Sequence, residues 1–412
     1  MKSFRSRLLA LSVVVCACTP TDRVITGLGE LNELTPPPTE GGIWPALSTQ
    51  GDRVVLSWQE SDETDQWFVK TATFEDDRWT AARDVAHSRD DAKFFVNWAD
   101  FAAVWPVGDN DLMAHWLVRG TRGRYDYGIR VAKSSDAGRT WSEPWTPHEQ
   151  ETATEHGFVS MFSLADGATG MVWLDGRETA KKPESEGPRG AMTLRYRSIA
   201  ADGTKGPEAL LDGRICDCCQ TAAAVTSSGP IVVYRDRTDD EIRDIYVTRL
   251  VGDRWTPGVP VHADEWLIPA CPVNGPAVAA RDEVAAVAWF TGSEDEPKVQ
   301  LAFSSDAGAS FGAPVLIDDG NPLGRVDVVL LRDGSALVSW LERTPDAGEV
   351  RVRRVSPSGE AGPATVVTQT SSGRDSGFPR MVQDSEGRIV FAWTEAGDPS
   401  NIRMARTKET LP

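Results

Sequence analysis

Short apolar runs, each closed by a Gly or Asp turn, follow one another from about Gly42 to the end of this chain. One run in each unit ends on an aromatic residue. These endings are Leu56-Ser57-Trp58, Ala114-His115-Trp116, Met171-Val172-Trp173, Val232-Val233-Tyr234, Val287-Ala288-Trp289, Val338-Ser339-Trp340 and Phe391-Ala392-Trp393. They number seven and are spaced by 58, 57, 61, 55, 51 and 53 residues. Turn pairs precede them, as at Gly51-Asp52, Asp166-Gly167, Asp333-Gly334 and Glu386-Gly387, where Gly supplies a positive φ and Asp a local hydrogen bond. Helical periodicity is nowhere sustained, so almost no helix is expected. A period in this range with several short strands per unit predicts an all-β fold, a β-propeller of four-stranded antiparallel blades. Seven blades are favoured. The seventh unit stops after its third strand, near Ile402–Ala405, and Arg23–Gly27 is expected to supply its outer strand.

One octapeptide occurs twice. Ser134-Ser135-Asp136-Ala137-Gly138-Arg139-Thr140-Trp141 returns as Ser304-Ser305-Asp306-Ala307-Gly308-Ala309-Ser310-Phe311. The Asp carboxylate can fold back on backbone N–H groups, Gly takes a positive φ, and the Ser or Thr hydroxyl adds a second local bond. The closing aromatic is expected to pack beneath the turn. The turn residues are thus Ser134, Asp136, Gly138 and Trp141, and Ser304, Asp306, Gly308 and Phe311. The S-x-D-x-G-x-[ST]-[WF] pattern resembles the Asp-box, or bacterial neuraminidase repeat, of the sialidase-like β-propellers. That resemblance implies a structural turn on the face away from an active site. Six blades is the usual number in that family and stands as the alternative count.

The composition is that of a folded body: 25% charged, 40% hydrophobic and a mean hydropathy of −0.32. A net charge of −18 argues against nucleic acid and against docking on an anionic membrane surface. The N-terminus carries Lys2, Arg5 and Arg7 before an apolar Leu8–Val15 core too short to span a bilayer. Val15-Cys16-Ala17-Cys18 resembles the lipobox of bacterial lipoproteins, with Cys18 as the lipidated residue; an ordinary secretion signal is the alternative. This implies an exported, lipid-anchored protein of the bacterial cell envelope, and Thr19 after the Cys fits outer-membrane delivery. Residues 1–18 are read as the signal, 19–42 as tether and closing strand, and 43–412 as one propeller domain.

Loops leading into inner strands and loops leaving second strands share one face of a propeller. That rim collects Asp100, Asp175, Asp236, Asp327, Arg235, Arg325 and Arg380, the candidates for carboxylate and guanidinium chemistry. It also collects Cys216, Cys218, Cys219 and Cys271 at the starts of two adjacent inner strands. An even cysteine number in an exported chain favours disulfides. One arrangement joins Cys271 to Cys216, with Cys218 and Cys219 free or vicinally bonded. The alternatives are a thiolate site for copper or zinc and four free thiols.

The sialidase resemblance covers the repeat region but not the catalytic pattern. Where the family carries an Arg in F/Y-R-I-P, this chain reads Gly42-Ile43-Trp44-Pro45. The family also needs two further arginines, a Tyr–Glu nucleophile and an Asp acid/base. Arg235, Arg325 and Arg380 are the arginines that would have to converge, and Tyr234 reads as a packing residue. The favoured function is therefore an exported propeller that binds a glycan, a peptide or a metal on its Cys-bearing rim. An exo-α-sialidase-type glycoside hydrolase is the first alternative. An envelope assembly scaffold with protein partners is the second.

Overall fold

A computed structural model of the chain describes residues 27–149, 152–180 and 190–412. Seven antiparallel sheets follow one another as blades of a propeller. Their inner strands are Ile43–Gln50, Ala103–Pro106, His156–Ser163, Ala222–Thr226, Ala277–Arg281, Pro322–Leu330 and Arg380–Gln383. The outer strand of the first and fourth blades is broken in two. The second blade has three strands, with Trp145 bridging Val131 at its outer edge. Helix is confined to single 3-10 turns among the described residues, and no helix there is long and apolar enough to cross a membrane.

The second strands explain why the sequence shows apolar runs and not clean alternation. Each is buried on both faces, because a blade packs against two neighbours. Seven buried apolar clusters result, one at each blade interface. In the third blade Met171 and Trp173 face the second blade, while Val172 and Leu174 face the fourth. The same rule places Trp58, Trp116, Trp173, Tyr234, Trp289, Trp340 and Trp393 in the interface with the preceding blade. Three of these indoles donate to a carboxylate two residues on: Trp58 to Glu60 at 2.6 Å, Trp173 to Asp175 at 2.9 Å and Trp340 to Glu342 at 2.6 Å.

The ring closes with a strand from the N-terminal side, though not the expected one. Leu31–Glu33 pairs with Asn401–Thr407, with Leu31 opposite Thr407 and Glu33 opposite Ala405. Arg23–Thr26 and the signal-like segment with Cys18 lie outside the described residues. An outer-edge strand is chosen by backbone pairing and by the buried Leu28 beside it, which side-chain alternation over so few residues does not encode.

Both octapeptides form the turn expected of them, on the face opposite the inner-strand starts. Ser134 Oγ accepts from Gly138 N at 2.8 Å, and Asp136 Oδ1 accepts from Thr140 N at 2.8 Å. Ser304 with Gly308 and Asp306 with Ser310 repeat this at 2.8 and 2.9 Å. Two residues in each turn have positive φ, Ala137 and Gly138 in one and Ala307 and Gly308 in the other. Trp141 and Phe311 pack on the adjoining interface clusters.

Candidate functional site

The inner strands begin with a shared irregularity. Trp44, Phe158, Val273, Arg325 and Gly377 have φ between 51° and 58° at equivalent positions. The register breaks between Ile43 and Ala46, Gly157 and Ser160, and Gly324 and Asp327. Bulges of this kind bend a strand and re-aim its side chains. Below them lies a central cavity of 540 Å³ lined by inner-strand residues and by Asp100, His115, Asp327 and Arg380.

The four cysteines converge on this face. Cys216 Sγ is 2.7 Å from Cys219 Sγ and 3.9 Å from Cys218 Sγ, and the three sulfurs lie within 4.8 Å of one another. Cys271, from the next blade, interacts with Cys218. None is disulfide-bonded, since a disulfide holds its sulfurs at about 2.05 Å. The expected Cys216–Cys271 pairing is not the contact that forms. Cys216 and Cys219 are buried, Cys218 is half-buried and Cys271 is exposed. Arg243 Nη1 donates to Cys216 Sγ at 3.5 Å. Burial alone would raise the Cys216 thiol, but the neighbouring thiols of Cys218 and Cys219 and the charge of Arg235 hold it well below the usual range. The Cys218 thiol also lowers Cys271, and Cys218 and Cys219 are correspondingly raised.

Acids that the sequence did not single out adjoin the sulfurs. Glu155, one residue before the third inner strand, is pushed up to about 7 by burial and then by Asp217. Asp217 sits among the cysteines, is raised by burial, and pairs with Arg237 Nη1 at 2.9 Å. Asp100 accepts from Phe158 N at 2.8 Å and interacts with the Tyr127 hydroxyl. Burial, with a contribution from Glu155, pushes its carboxyl up to about 8. Gly157 makes room for it, because a Cβ there would stand 2.0 Å from Asp100 Oδ2. That oxygen has no well-formed hydrogen bond, nor does Nδ1 of the buried His115. Tyr127 and Glu155 carry no repeat signature that would have marked them, although Glu155 adjoins the inner-strand start already chosen at His156.

Most of the other predicted site residues are engaged by neighbouring parts of the fold. Asp175 accepts from the Trp173 indole and is clamped by Arg177, Nη2 to Oδ2 at 2.6 Å; these bonds overcome its burial and hold it at about 2. Arg235 donates to the carbonyls of Asn274, Arg243 and Phe290 and stacks on Trp266. Arg325 donates to Ser376 Oγ and Gly377 O and stacks on Trp98. Asp236 is pushed up to about 7 by burial and by Asp212, which itself accepts from the Tyr234 hydroxyl at 2.7 Å. Asp327 accepts from Met381 N and Val328 N. Arg380 stacks on Phe101 and Phe378 and lines the cavity; among the described residues its guanidinium donates no hydrogen bond. Three arginines therefore do not meet in one pocket, because two of them hold backbone and loop.

No protein-family model matches this chain, and no curated protein matches it in sequence. Solved structures do share its fold. Polysaccharide lyase Uly1 is 12% identical, with 95% of this chain and 93% of that one covered and a TM-score of 0.51. Phage phi92 endosialidase is 10% identical, with 93% and 70% covered and a TM-score of 0.52. Penicillium chrysogenum α-L-arabinanase, solved with arabinobiose, is 13% identical, with 92% and 99% covered and a TM-score of 0.48. At these identities the likeness is one of fold.

Proposed function

We propose that this propeller binds a thiophilic metal ion, Cu(I) or Zn(II), at the rim formed by Cys216, Cys218, Cys219 and Cys271. The observation that carries the reading is the convergence of three sulfurs within 4.8 Å, with a fourth beside Cys218. All-sulfur donor sets select these soft ions. The fit is close but not ready-made. Zn–S bonds of about 2.3 Å place tetrahedral ligands roughly 3.8 Å apart, which Cys216 and Cys218 meet at 3.9 Å. Cys216 and Cys219, at 2.7 Å, must swing apart by about an ångström through side-chain rotation before both can ligate. Arg243 beside Cys216 and Arg237 beside Asp217 offset part of the negative charge that several thiolates carry. The chain is taken as an exported lipoprotein anchored through Cys18, which would present this rim to envelope or extracellular metal.

The test is an anaerobic titration of the reduced protein with Zn(II), and with Cu(I) buffered by a chromophoric chelator. One equivalent bound, and lost in Cys216→Ser and Cys218→Ser variants that remain folded, supports the reading. Binding no tighter than to a variant lacking all four cysteines overturns it.

A second reading, a glycan ligand with glycosidase-type chemistry, draws on the central cavity. Asp100 Oδ2 and His115 Nδ1 are unpaired there and Arg380 keeps free donors, so the mixed polar and apolar wall of the cavity offers convergent polar groups to a ligand. Two of the proteins that share the fold are named as an endosialidase and a polysaccharide lyase. Oligosaccharide turnover that survives removal of the four cysteines and falls in Arg380→Ala would favour this reading over the first.

A further inference from the structure

The arrangement of the four thiols is uneven in contact and in accessibility. Cys216 and Cys219 touch at 2.7 Å and are 1% and 2% exposed. Cys271, from the next blade, is exposed and Cys218 half-buried, and the two thiols interact at the surface side of the cluster. Cys218 approaches the inner pair, with Cys216 at 3.9 Å and Cys219 within 4.8 Å. An external reagent thus reaches the outer pair but not the inner one. Backbone geometry supports both contacts. Cys216 and Cys219 are separated by two intervening residues across a tight turn that leads into the fourth inner strand, and Cys271 stands at the matching place before the fifth. Cys216 also receives a hydrogen bond from Arg243, which favours a sulfur that carries negative charge during exchange.

We propose that the four cysteines form a dithiol relay, in which Cys271 and Cys218 exchange with an external disulfide and the resulting bond passes inward to Cys216 and Cys219. The oxidant is a small-molecule or peptide disulfide, RSSR. The Cys271 thiolate attacks one sulfur of RSSR; the R–S–S–R bond breaks, a mixed disulfide forms on Cys271, and the first RS⁻ leaves and takes up a proton. Cys218 then attacks Cys271 Sγ and releases the second RS⁻, so that two protein thiols have given two electrons and two protons to yield two RSH. Cys216 attacks Cys218 Sγ and frees Cys271. Cys219 attacks Cys216 Sγ and frees Cys218. The inner pair ends oxidised and the outer pair is reduced again, ready for a second RSSR. Each step is an ordinary thiolate–disulfide exchange. The relay uses the sulfurs of the metal reading but does not depend on metal.

The experiment uses the reduced full chain in excess chelator, mixed with one equivalent of glutathione disulfide, quenched by alkylation at intervals and mapped by peptide mass. A glutathione adduct on Cys271 should appear first, and a Cys216–Cys219 disulfide with alkylated Cys218 and Cys271 should accumulate. Cys271→Ser should slow formation of the inner disulfide by about tenfold or more, and Cys218→Ser should trap the adduct on Cys271. Cys271 is exposed, so Cys271→Ser should leave the fold intact; Cys218→Ala replaces Cys218→Ser if circular dichroism shows the latter unfolded. An unchanged rate in Cys271→Ser, or a stable bond between Cys271 and Cys216, overturns the relay. Because metal is withheld, exchange without metal affinity sinks only the earlier reading, and metal affinity without exchange sinks only this one.

Discussion

Asp100→Asn isolates the electrostatics of the channel mouth. Asparagine has the same shape and keeps the acceptor that Phe158 N–H uses, so packing is preserved and only the ionisation is removed. In the folded chain the Asp100 carboxyl is raised from 3.8 to about 8, first by burial. The sign follows from proton counting. Between these values the unfolded chain has released a proton that the folded chain retains, so stability falls as pH rises from about 4 to about 8 and is level outside that window. At about 1.4 kcal/mol per pH unit this is on the order of 5 kcal/mol, an upper bound, because local relaxation softens burial penalties. For a domain of this size it corresponds to roughly 5 °C in Tm. Thermal unfolding of both proteins at half-unit steps from pH 4 to 9 should show equal stability near pH 4 and an Asn variant more stable by up to about 5 °C near pH 8.5. Glu155 and Asp236 also titrate near 7, but they do so in both proteins and largely cancel. Parallel curves across the range would refute the burial argument and mean that water reaches Asp100 freely.

Three further outcomes are expected. Trp340→Phe removes the indole donor of buried Glu342 and should cost about 1–3 kcal/mol in chemical denaturation; a neutral change would mean that Glu342 finds another donor. Deleting residues 1–34 removes the closing strand and the buried Leu28. That should lower stability by at least about 2 kcal/mol and raise hydrogen exchange in Asn401–Thr407 above that of the other blades. Asp136 and Asp306 are held at about 2 by hydrogen bonds within their turns, chiefly from Thr140 and Ser310. Their stabilisation is complete above about pH 4 and disappears as pH falls toward 2, so a double Asn variant should show a flatter acid limb of Tm against pH.

The blade count was legible because the aromatic at the end of each second strand does one physical job seven times. Its register points it into the preceding blade, where a large side chain fills the widening gap between sheets. The closing strand was misplaced by several residues because three backbone pairings at an edge leave little trace in side-chain pattern. Within the site, Cys216, Cys218, Cys219 and Cys271 were brought together by repeat alignment alone, which put them at matching places in adjacent blades. Their pairing was not legible, since it depends on side-chain directions across a tight turn. Asp175 drew attention as a rim carboxylate, whereas the Trp-x-acid spacing shared by Trp58, Trp173 and Trp340 marks it as an indole acceptor. Arg235 and Arg325 likewise belong to loop architecture, and only their carbonyl partners, distant in sequence, reveal it.

The closing strand also determines how the ring bears load. Leu31–Glu33 lies antiparallel to Asn401–Thr407, held by three residue pairs and by Leu34 N to Met404 O at 3.0 Å. A pull applied through the N-terminal segment meets the buried Leu28 and then this short strand before the rest of the ring. The interface clusters away from this seam stay unloaded until it detaches. The strand would therefore act as a mechanical fuse, releasing slack under tension while the cysteine-bearing fourth and fifth blades, on the far side of the ring, keep their packing.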